Sequence, residues 1–241
     1  MKTYKKNAVM AGALYFLGTA FGITAAVVGG KVLSSIVTAK PLSNVDLLAL
    51  VASNSTQLNA GAFFTLLMGI SLVAMTAFLY PIFKKDSEEL ALGMLLFRGA
   101  LEGTWYLITM LNLLVLVAVS KEYVSTGANS TALQSIGNVV YQFQDLLAPV
   151  GTLVFLIGAS CLYISFYRTK LIPRWLTIWG FIGVIPYLAY VILHYFHLDN
   201  GIGFYLQMIL APQEIVMAIW LIVKGFNQKA LAELLADKNT P

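Results

Sequence analysis

The sequence predicts an all-α fold, a polytopic membrane helix bundle with six transmembrane helices and both termini cytoplasmic. Of the 241 residues, 59% are hydrophobic and only 11% are charged, whereas a soluble domain has roughly 25% charged residues. Six apolar segments reach the roughly 20 residues that cross a hydrocarbon core about 30 Å thick. Lys and Arg residues cluster between alternate segments, which is the pattern that the positive-inside rule describes.

The six predicted spans follow one another through a single integral-membrane domain, residues 1–241. In order they cover about 8–30, 60–83, 90–120, 139–167, 175–196 and 203–223. The first span follows Lys2, Lys5 and Lys6, as a signal peptide would. Its apolar run is too long for the apolar part of a cleaved signal peptide, so we interpret it as a retained helix.

Two segments outside the spans have patterns of their own. In the predicted outer loop, 31–59, Ser43 is a candidate N-cap and Asp46 follows three residues later, which predicts a short interfacial helix. The predicted cytoplasmic tail, 224–241, carries Leu231, Leu234 and Leu235 among charged residues. It is either an amphipathic helix at the inner membrane surface or a solvated tail.

The distribution of positive charge predicts the orientation in the cell membrane. With the N-terminus inside, the inner segments carry eleven Lys and Arg residues and the outer loops carry three. The eleven are Lys2, Lys5, Lys6, Lys84, Lys85, Arg168, Lys170, Arg174, Lys224, Lys229 and Lys238; the three are Lys31, Lys40 and Lys121. Because these residues form no basic stripe with interleaved aromatic residues, the net charge of +4 does not predict a nucleic-acid partner. The predicted partner is the lipid bilayer, and the sequence leaves the oligomeric state open.

Four ionisable residues lie well inside predicted spans: Arg98, Glu102, Asp145 and Glu214. Each would cost about 3 kcal/mol at the centre of a helix that faces lipid. We therefore expect all four to face the bundle interior or a wet cavity.

The spacing of these residues predicts an interior polar cluster. Arg98 and Glu102 are four residues apart, hence on one helix face, and Trp105 continues that face. One Arg cannot neutralise three carboxylates. The excess acids could be matched by a small ligand, a cation or a proton, which makes the four residues a candidate binding site. Alternatively, the cluster is a structural ion pair with hydrogen-bonded acids that join the helices.

No metal, cofactor or enzyme motif accompanies this cluster. His194 and His197 are three residues apart with Asp199 nearby, which is fewer ligands than a zinc site needs. The single Cys161 offers no cysteine-based metal site, and no HExxH, GxSxG or nucleotide-binding motif occurs. A lipid-acting enzyme is the weakest hypothesis, and it requires His194 to lie within hydrogen-bond reach of Asp145 or another acid.

Four stretches resemble a known family. "LIPRWLTIWGFIG" at 171–183 and "APQEIVMAIWLIVKGFN" at 211–227 resemble the bacterial membrane family called domain of unknown function 4386, and "AGALYFLGTAFG" and "FRGALEG" fit the same resemblance. The resemblance implies a six-helix integral membrane protein and brings no substrate or reaction with it. The leading hypothesis is therefore ligand, cation or proton binding at the interior cluster. The alternative is a structural, assembly or immunity partner in the membrane.

Overall fold

The described part of the chain is almost entirely helical. The computed structural model describes residues 2–30, 33, 47–196, 198, 205–206 and 208–236, and these contain no strand. The helices are α1 (Lys2–Val28), α2 (Leu47–Ser53), α3 (Ser55–Phe83), α4 (Glu88–Ser125), α5 (Thr131–Thr169), α6 (Arg174–Tyr195), α7 (Leu210–Val223) and α8 (Gln228–Ala236). The predicted all-α class is confirmed.

Five of these helices, α1, α3, α4, α5 and α6, are each long and apolar enough to cross a membrane. The sixth predicted span is shorter in the structure, because α7 has 14 residues. It passes the same test only together with α8, from which it is separated by a bend of 81°, so the chain has five or six candidate spans. Residues 203–204 and 207 of the predicted sixth span lie outside the described residues.

The outward faces of the long helices are apolar. Ile70 of α3 is 55% exposed and Ile185 of α6 is 72% exposed, and both lie near the middle of their helices. Large apolar side chains exposed in such number would be costly in water, whereas they are suited to hydrocarbon. The bundle is therefore that of a multi-pass membrane protein, as predicted.

Six helices form a ring in sequence order. Each of α1, α3, α4, α5, α6 and α7 packs against the next, and α7 returns to pack against α1. The start of α1 is joined to the end of α3 by a hydrogen bond of 3.1 Å from Asn7 Nδ2 to the carbonyl of Phe78. This closed arrangement surrounds an interior on which all six helices border.

One end of the ring carries most of the positive charge, and we call it the basic end. It comprises the start of α1 and the turns α3–α4, α5–α6 and α7–α8. A salt bridge of 2.8 Å between Asp86 and Arg168 joins the α3–α4 turn to the end of α5. The N–H of Asn227 in the α7–α8 turn donates to the carbonyl of Leu171 in the α5–α6 turn across 2.9 Å.

Two apolar cores fill the ring. The larger lies toward the basic end and includes Met75, Phe83 and Phe166. The smaller lies toward the opposite end and includes Leu58 and Leu113.

Helix α4 is not α-helical throughout, and the interruption carries Arg98. Met94–Leu101 forms a π-helical segment, and the N–H of Glu102 donates to the carbonyl of Phe97, five residues earlier. Gly158 of α5 lies against the backbone of this segment, so closely that a Cβ at position 158 would come within 2.7 Å of the Cα of Arg98. Such π segments often occur at functional sites.

The two segments outside the spans also contain helices. In the predicted outer loop, α2 forms and buries Leu48 and Val51; its predicted capping residues, Ser43 and Asp46, lie outside the described residues. In the predicted tail, the Asn227 side chain accepts from the N–H of Lys229 at the start of α8. Leu231 is fully buried, so the apolar side of the tail helix packs against the bundle.

Candidate functional site

Arg98 joins two acidic residues from different helices. Its Nη1 donates to Oε1 of Glu102, one turn along α4, and its Nη2 donates to Oε1 of Glu214 on α7 across 3.2 Å. The side chains of Arg98, Glu102 and Glu214 are 2%, 0% and 15% exposed. We call these three residues the ion triad.

Two further helices contribute aromatic rings to the ion triad. Tyr15 of α1 donates its hydroxyl to Oε1 of Glu214 across 2.7 Å. The guanidinium carbon of Arg98 lies 5.4 Å from the ring centroid of Tyr15 and 4.7 Å from that of Phe155 on α5. Because a cation is attracted to the face of an aromatic ring, Arg98 is held by four helices.

The ion triad leaves negative charge and hydrogen-bonding capacity unmatched. Two carboxylates face one guanidinium, and the second oxygen of Glu102 is buried with no hydrogen-bond partner in the described part of the chain. Nε of Arg98 is likewise buried with no hydrogen-bond partner in the described residues. Buried polar groups are almost always hydrogen-bonded in folded proteins, so these two atoms are exceptions within the ion triad.

A cavity of about 250 Å³ borders all three residues of the ion triad. Its other walls are largely apolar and aromatic, and include Trp105, Phe155 and Tyr187. A second cavity of about 280 Å³ shares Trp105 and Tyr187 with the first. Since one water takes up about 30 Å³ of liquid volume, each cavity is large enough for several waters or for one small organic molecule.

The rest of the polar face of α4 also lies inside the bundle. Trp105 Nε1 donates to the carbonyl of Leu147 across 3.0 Å. Further along, Asn112 donates to Oε1 of Gln144 at 3.1 Å, and Gln144 donates to Thr109 at 3.5 Å. The prediction that this face turns inward is confirmed by its burial.

A second polar contact fixes α7 beside the ion triad. Gln213 donates to the carbonyl of Leu176 on α6 across 2.9 Å and accepts from the hydroxyl of Tyr163 on α5 across 3.0 Å. Because Gln213 is fully buried and adjoins Glu214, these bonds hold the Glu214 backbone in place. The neighbouring Pro212 lies in the first turn of α7, where a missing N–H costs little.

Asp145 lies away from the ion triad. Its side chain is 52% exposed, and its Oδ1 is 3.3 Å from Nε2 of His194 on α6. Gly158, at the level of Arg98, is thirteen residues further along α5, a rise of about 20 Å. The structure thus brings together three of the four candidate residues, Arg98, Glu102 and Glu214. It also meets the distance condition of the enzyme hypothesis for His194.

The histidine pair can be described only in part. His194 packs against Tyr190 with tilted rings whose centroids are 5.4 Å apart, whereas His197 and Asp199 lie outside the described residues. Within the described ranges, no group of three or more His, Cys, Asp or Glu residues could hold a metal ion.

Sequence reasoning predicted Trp105 but missed the two tyrosines that donate their hydroxyls to Glu214 and Gln213. Tyr15 and Tyr163 stand in apolar runs where a tyrosine looks like any other large side chain. Only the order of the helices in the ring shows that Tyr15 meets Glu214. Gln213 had a usable signal, because it is an amide beside an acid in the middle of an apolar run.

Comparisons with known proteins identify a family for this chain and suggest no activity. Neither the curated proteins nor the solved structures yielded a match. A family model described as Domain of unknown function (DUF4386) matches residues 10–225, which is most of the chain. On this match, and in agreement with the resemblance of its sequence motifs, the chain belongs to the DUF4386 family.

Proposed function

We propose that this protein binds a small cation at the ion triad, in competition with protons. The observation that carries the proposal is the pairing of two buried carboxylates with a single guanidinium at the wall of a cavity. With both acids ionised, the ion triad has a net charge of −1. A buried net charge is costly unless it is matched, and a bound cation or a proton supplies the match.

The arrangement of donors and acceptors favours a cation over an anion. Both terminal nitrogens of Arg98 already donate to carboxylates, and two aromatic rings lie beside its guanidinium. Only Nε of Arg98 is left without a partner in the described residues, and the net negative charge of the ion triad would repel an anion. Glu102 and Glu214 instead both line the cavity, and their carboxylates suit a ligand that donates hydrogen bonds.

The walls of the cavity favour an organic cation. Trp105, Phe155 and Tyr187 line it together with the acids, and aromatic faces attract alkylammonium groups once these are desolvated. A hydrated metal ion gains less from such walls, because hard cations take oxygen ligands. We therefore assign a small alkylamine in its protonated form as the class of ligand.

The position in the cell follows from charge. Lys84, Lys85, Lys170 and Lys224 lie at the basic end, and positive residues are retained on the cytoplasmic side. We infer that the protein resides in the cytoplasmic membrane, with the basic end and both termini in the cytoplasm.

Binding can be tested on the purified protein in an uncharged detergent. Methylammonium chloride is titrated while thermal unfolding is followed, and sodium chloride serves as the ionic-strength control. The wild type is expected to show saturable stabilisation by methylammonium, and Glu214→Gln is expected to abolish it. Because a bound proton and a bound cation would neutralise the same net charge of the ion triad, stabilisation is expected to weaken as the pH falls.

Asp145→Asn is the matched control, since it makes the same chemical change at an acid outside the ion triad. It is expected to respond to methylammonium as the wild type does. If the wild type responds to methylammonium no more than to sodium, and Glu214→Gln merely unfolds at a lower temperature, the ion triad is a structural link between helices and the proposal is wrong.

A further inference from the structure

A separate cleft lies at the basic end, outside the ring interior. The α5–α6 and α7–α8 turns form it, and the bond between Asn227 and Leu171 holds them together. Leu171, Ile172 and Phe226 are buried beneath the two turns. The cleft has a volume of about 660 Å³, and its walls are fixed by these buried side chains.

Three basic side chains from the two turns line this cleft: Lys170, Arg174 and Lys224. No acidic residue is among the described residues that line it. Asp86 and Glu233 belong to a separate cleft that shares only Lys170 with this one. The phosphate of a ligand would therefore meet three positive charges and no negative one.

Other basic residues at the same end are neutralised within the protein. Lys84 pairs with Glu88 and Arg168 pairs with Asp86, each at 2.8 Å. No salt bridge joins Lys170, Arg174 or Lys224 to an acid in the described part of the chain. Three unpaired basic side chains thus share one cleft, whereas Lys5, Lys6 and Lys85, which also form no salt bridge in the described part of the chain, do not line it.

Arg174 is held in an orientation that leaves its terminal nitrogens available. Its guanidinium carbon lies 4.6 Å from the ring centroid of Tyr167, and its Nε donates to the carbonyl of the same residue across 3.4 Å. Arg174 is also the first residue of α6, whose N-cap, Pro173, provides no side-chain hydrogen bond. The partial positive charge of that helix end adds to the charge of the cleft.

Tryptophan residues place the cleft at the level of lipid headgroups. Trp220 lines it and packs edge-on against Trp175, with ring centroids 6.4 Å apart. Trp175 also stacks on Trp179 at 6.3 Å. Tryptophan is enriched at the boundary between hydrocarbon and headgroups, and basic pockets between transmembrane helices bind anionic headgroups.

We propose that this cleft binds the phosphate of an anionic phospholipid headgroup. Lys170, Arg174 and Lys224 donate to the phosphate oxygens, and Trp220 and Trp175 contact the glycerol and upper acyl region. This site is separate from the ion triad, so neither proposal depends on the other.

The test measures thermal unfolding of the full-length protein in an uncharged maltoside detergent with added lipid. Phosphatidylglycerol is expected to raise the unfolding temperature in a saturable way, whereas phosphatidylcholine with the same acyl chains leaves it unchanged. Inorganic phosphate and glycerol 3-phosphate are measured in parallel to separate a lipid from a free phosphate. If either soluble phosphate stabilises the protein as strongly as phosphatidylglycerol, the lipid assignment is overturned.

Two triple variants remove the same charge from the same end. The first combines Lys170→Gln, Arg174→Gln and Lys224→Gln. The second, the control, combines Lys5→Gln, Lys6→Gln and Lys85→Gln. All six side chains are exposed, so both variants are expected to fold.

The cleft variant is expected to need on the order of a hundredfold more phosphatidylglycerol for half of the stabilisation, whereas the control stays close to the wild type. If both variants lose the same affinity for phosphatidylglycerol, the lipid is attracted by positive charge in general. If the cleft variant loses none, the lipid binds elsewhere. Either result overturns the proposal.

Discussion

Arg98 has more partners than any other charged side chain of the ion triad. It contacts two carboxylates and two aromatic rings while its side chain is 2% exposed. Taking a buried ion pair out of water is expensive, but removing one partner alone costs still more, because the remaining charge is left unmatched. The two acids therefore depend on Arg98 for their place in the interior.

Replacing Arg98 by Gln is expected to destabilise the protein by roughly 3–5 kcal/mol. The two carboxylates would lose their counter-charge, and one of them would have to take up a proton. Unfolding in mixed micelles of maltoside and dodecyl sulfate measures the change in free energy. Arg168→Gln is the control, because Arg168 is 53% exposed in its pair with Asp86, and such a pair is worth no more than about 1 kcal/mol. Equal effects of the two substitutions would contradict the account.

The sequence predicted the members of the ion triad but not how they meet. The spacing of Arg98 and Glu102 put them on one face, and the cost of burying charge turned that face inward. The contact of Glu214 with Arg98 depends on which helices are neighbours in the ring, and spacing within one helix contains no such information. Asp145 was grouped with the others because the cost of a charge inside a span applies to it equally, and its position in the outer half of its helix does not show which side chains it meets.

At the scale of elements, the approach of α5 to α4 positions Arg98. Gly158 allows the two backbones to touch at the π segment, and Gly151 of α5 leaves room in the same way for the indole of Trp105. Small residues permit such close packing of transmembrane helices. The position of the guanidinium thus depends on two glycines in a neighbouring helix.

Gly158→Ala is expected to lower the free energy of unfolding by about 1–3 kcal/mol or more, and to weaken methylammonium binding. The new Cβ would meet the backbone of Arg98, which cannot rotate away, so the two helices must separate. Unfolding in mixed micelles and the methylammonium titration provide the two measurements.

Gly93→Ala is the control for this substitution, because a Cβ at Gly93 would meet only the side chain of Cys161, with Sγ at 2.9 Å. It is expected to be tolerated better, since that side chain can shift and alanine is the better helix former. A Gly158→Ala variant as stable as Gly93→Ala would show that the close approach is not required.

The helices themselves were predictable, because long apolar runs have few alternatives in a bilayer. The π segment was not. The hydrophobic pattern shows which face of a helix is apolar. It does not show whether each backbone carbonyl accepts a hydrogen bond from the N–H four or five residues further along. The short α7 also escaped prediction, since composition continues without a break from 205 to 223.

At the scale of the whole molecule, the ring combines an apolar exterior with charge at two places, the interior and the basic end. Positive charge at one end predicts the sidedness of the protein. On the proposed orientation both ends of the chain would be cytoplasmic, since the start of α1 packs near the end of α3 and α8 follows the basic turn of α7.

Sidedness can be measured with single cysteines in a Cys161→Ser background. Lys121→Cys is expected to react with a membrane-impermeant maleimide in intact, right-side-out vesicles. Lys5→Cys and Lys229→Cys are expected to react only after the vesicles are permeabilised. The reverse pattern would show that the basic end faces outward.

The central claim, that the ion triad borders a solvated site for a cation, is tested most directly by a lipid-embedded experimental structure that resolves ordered water, determined with and without methylammonium. The account predicts water next to the second oxygen of Glu102 in the absence of methylammonium, and density for the ammonium group between Glu102 and Glu214 in its presence. A dry, collapsed cavity that is unchanged by methylammonium would contradict it.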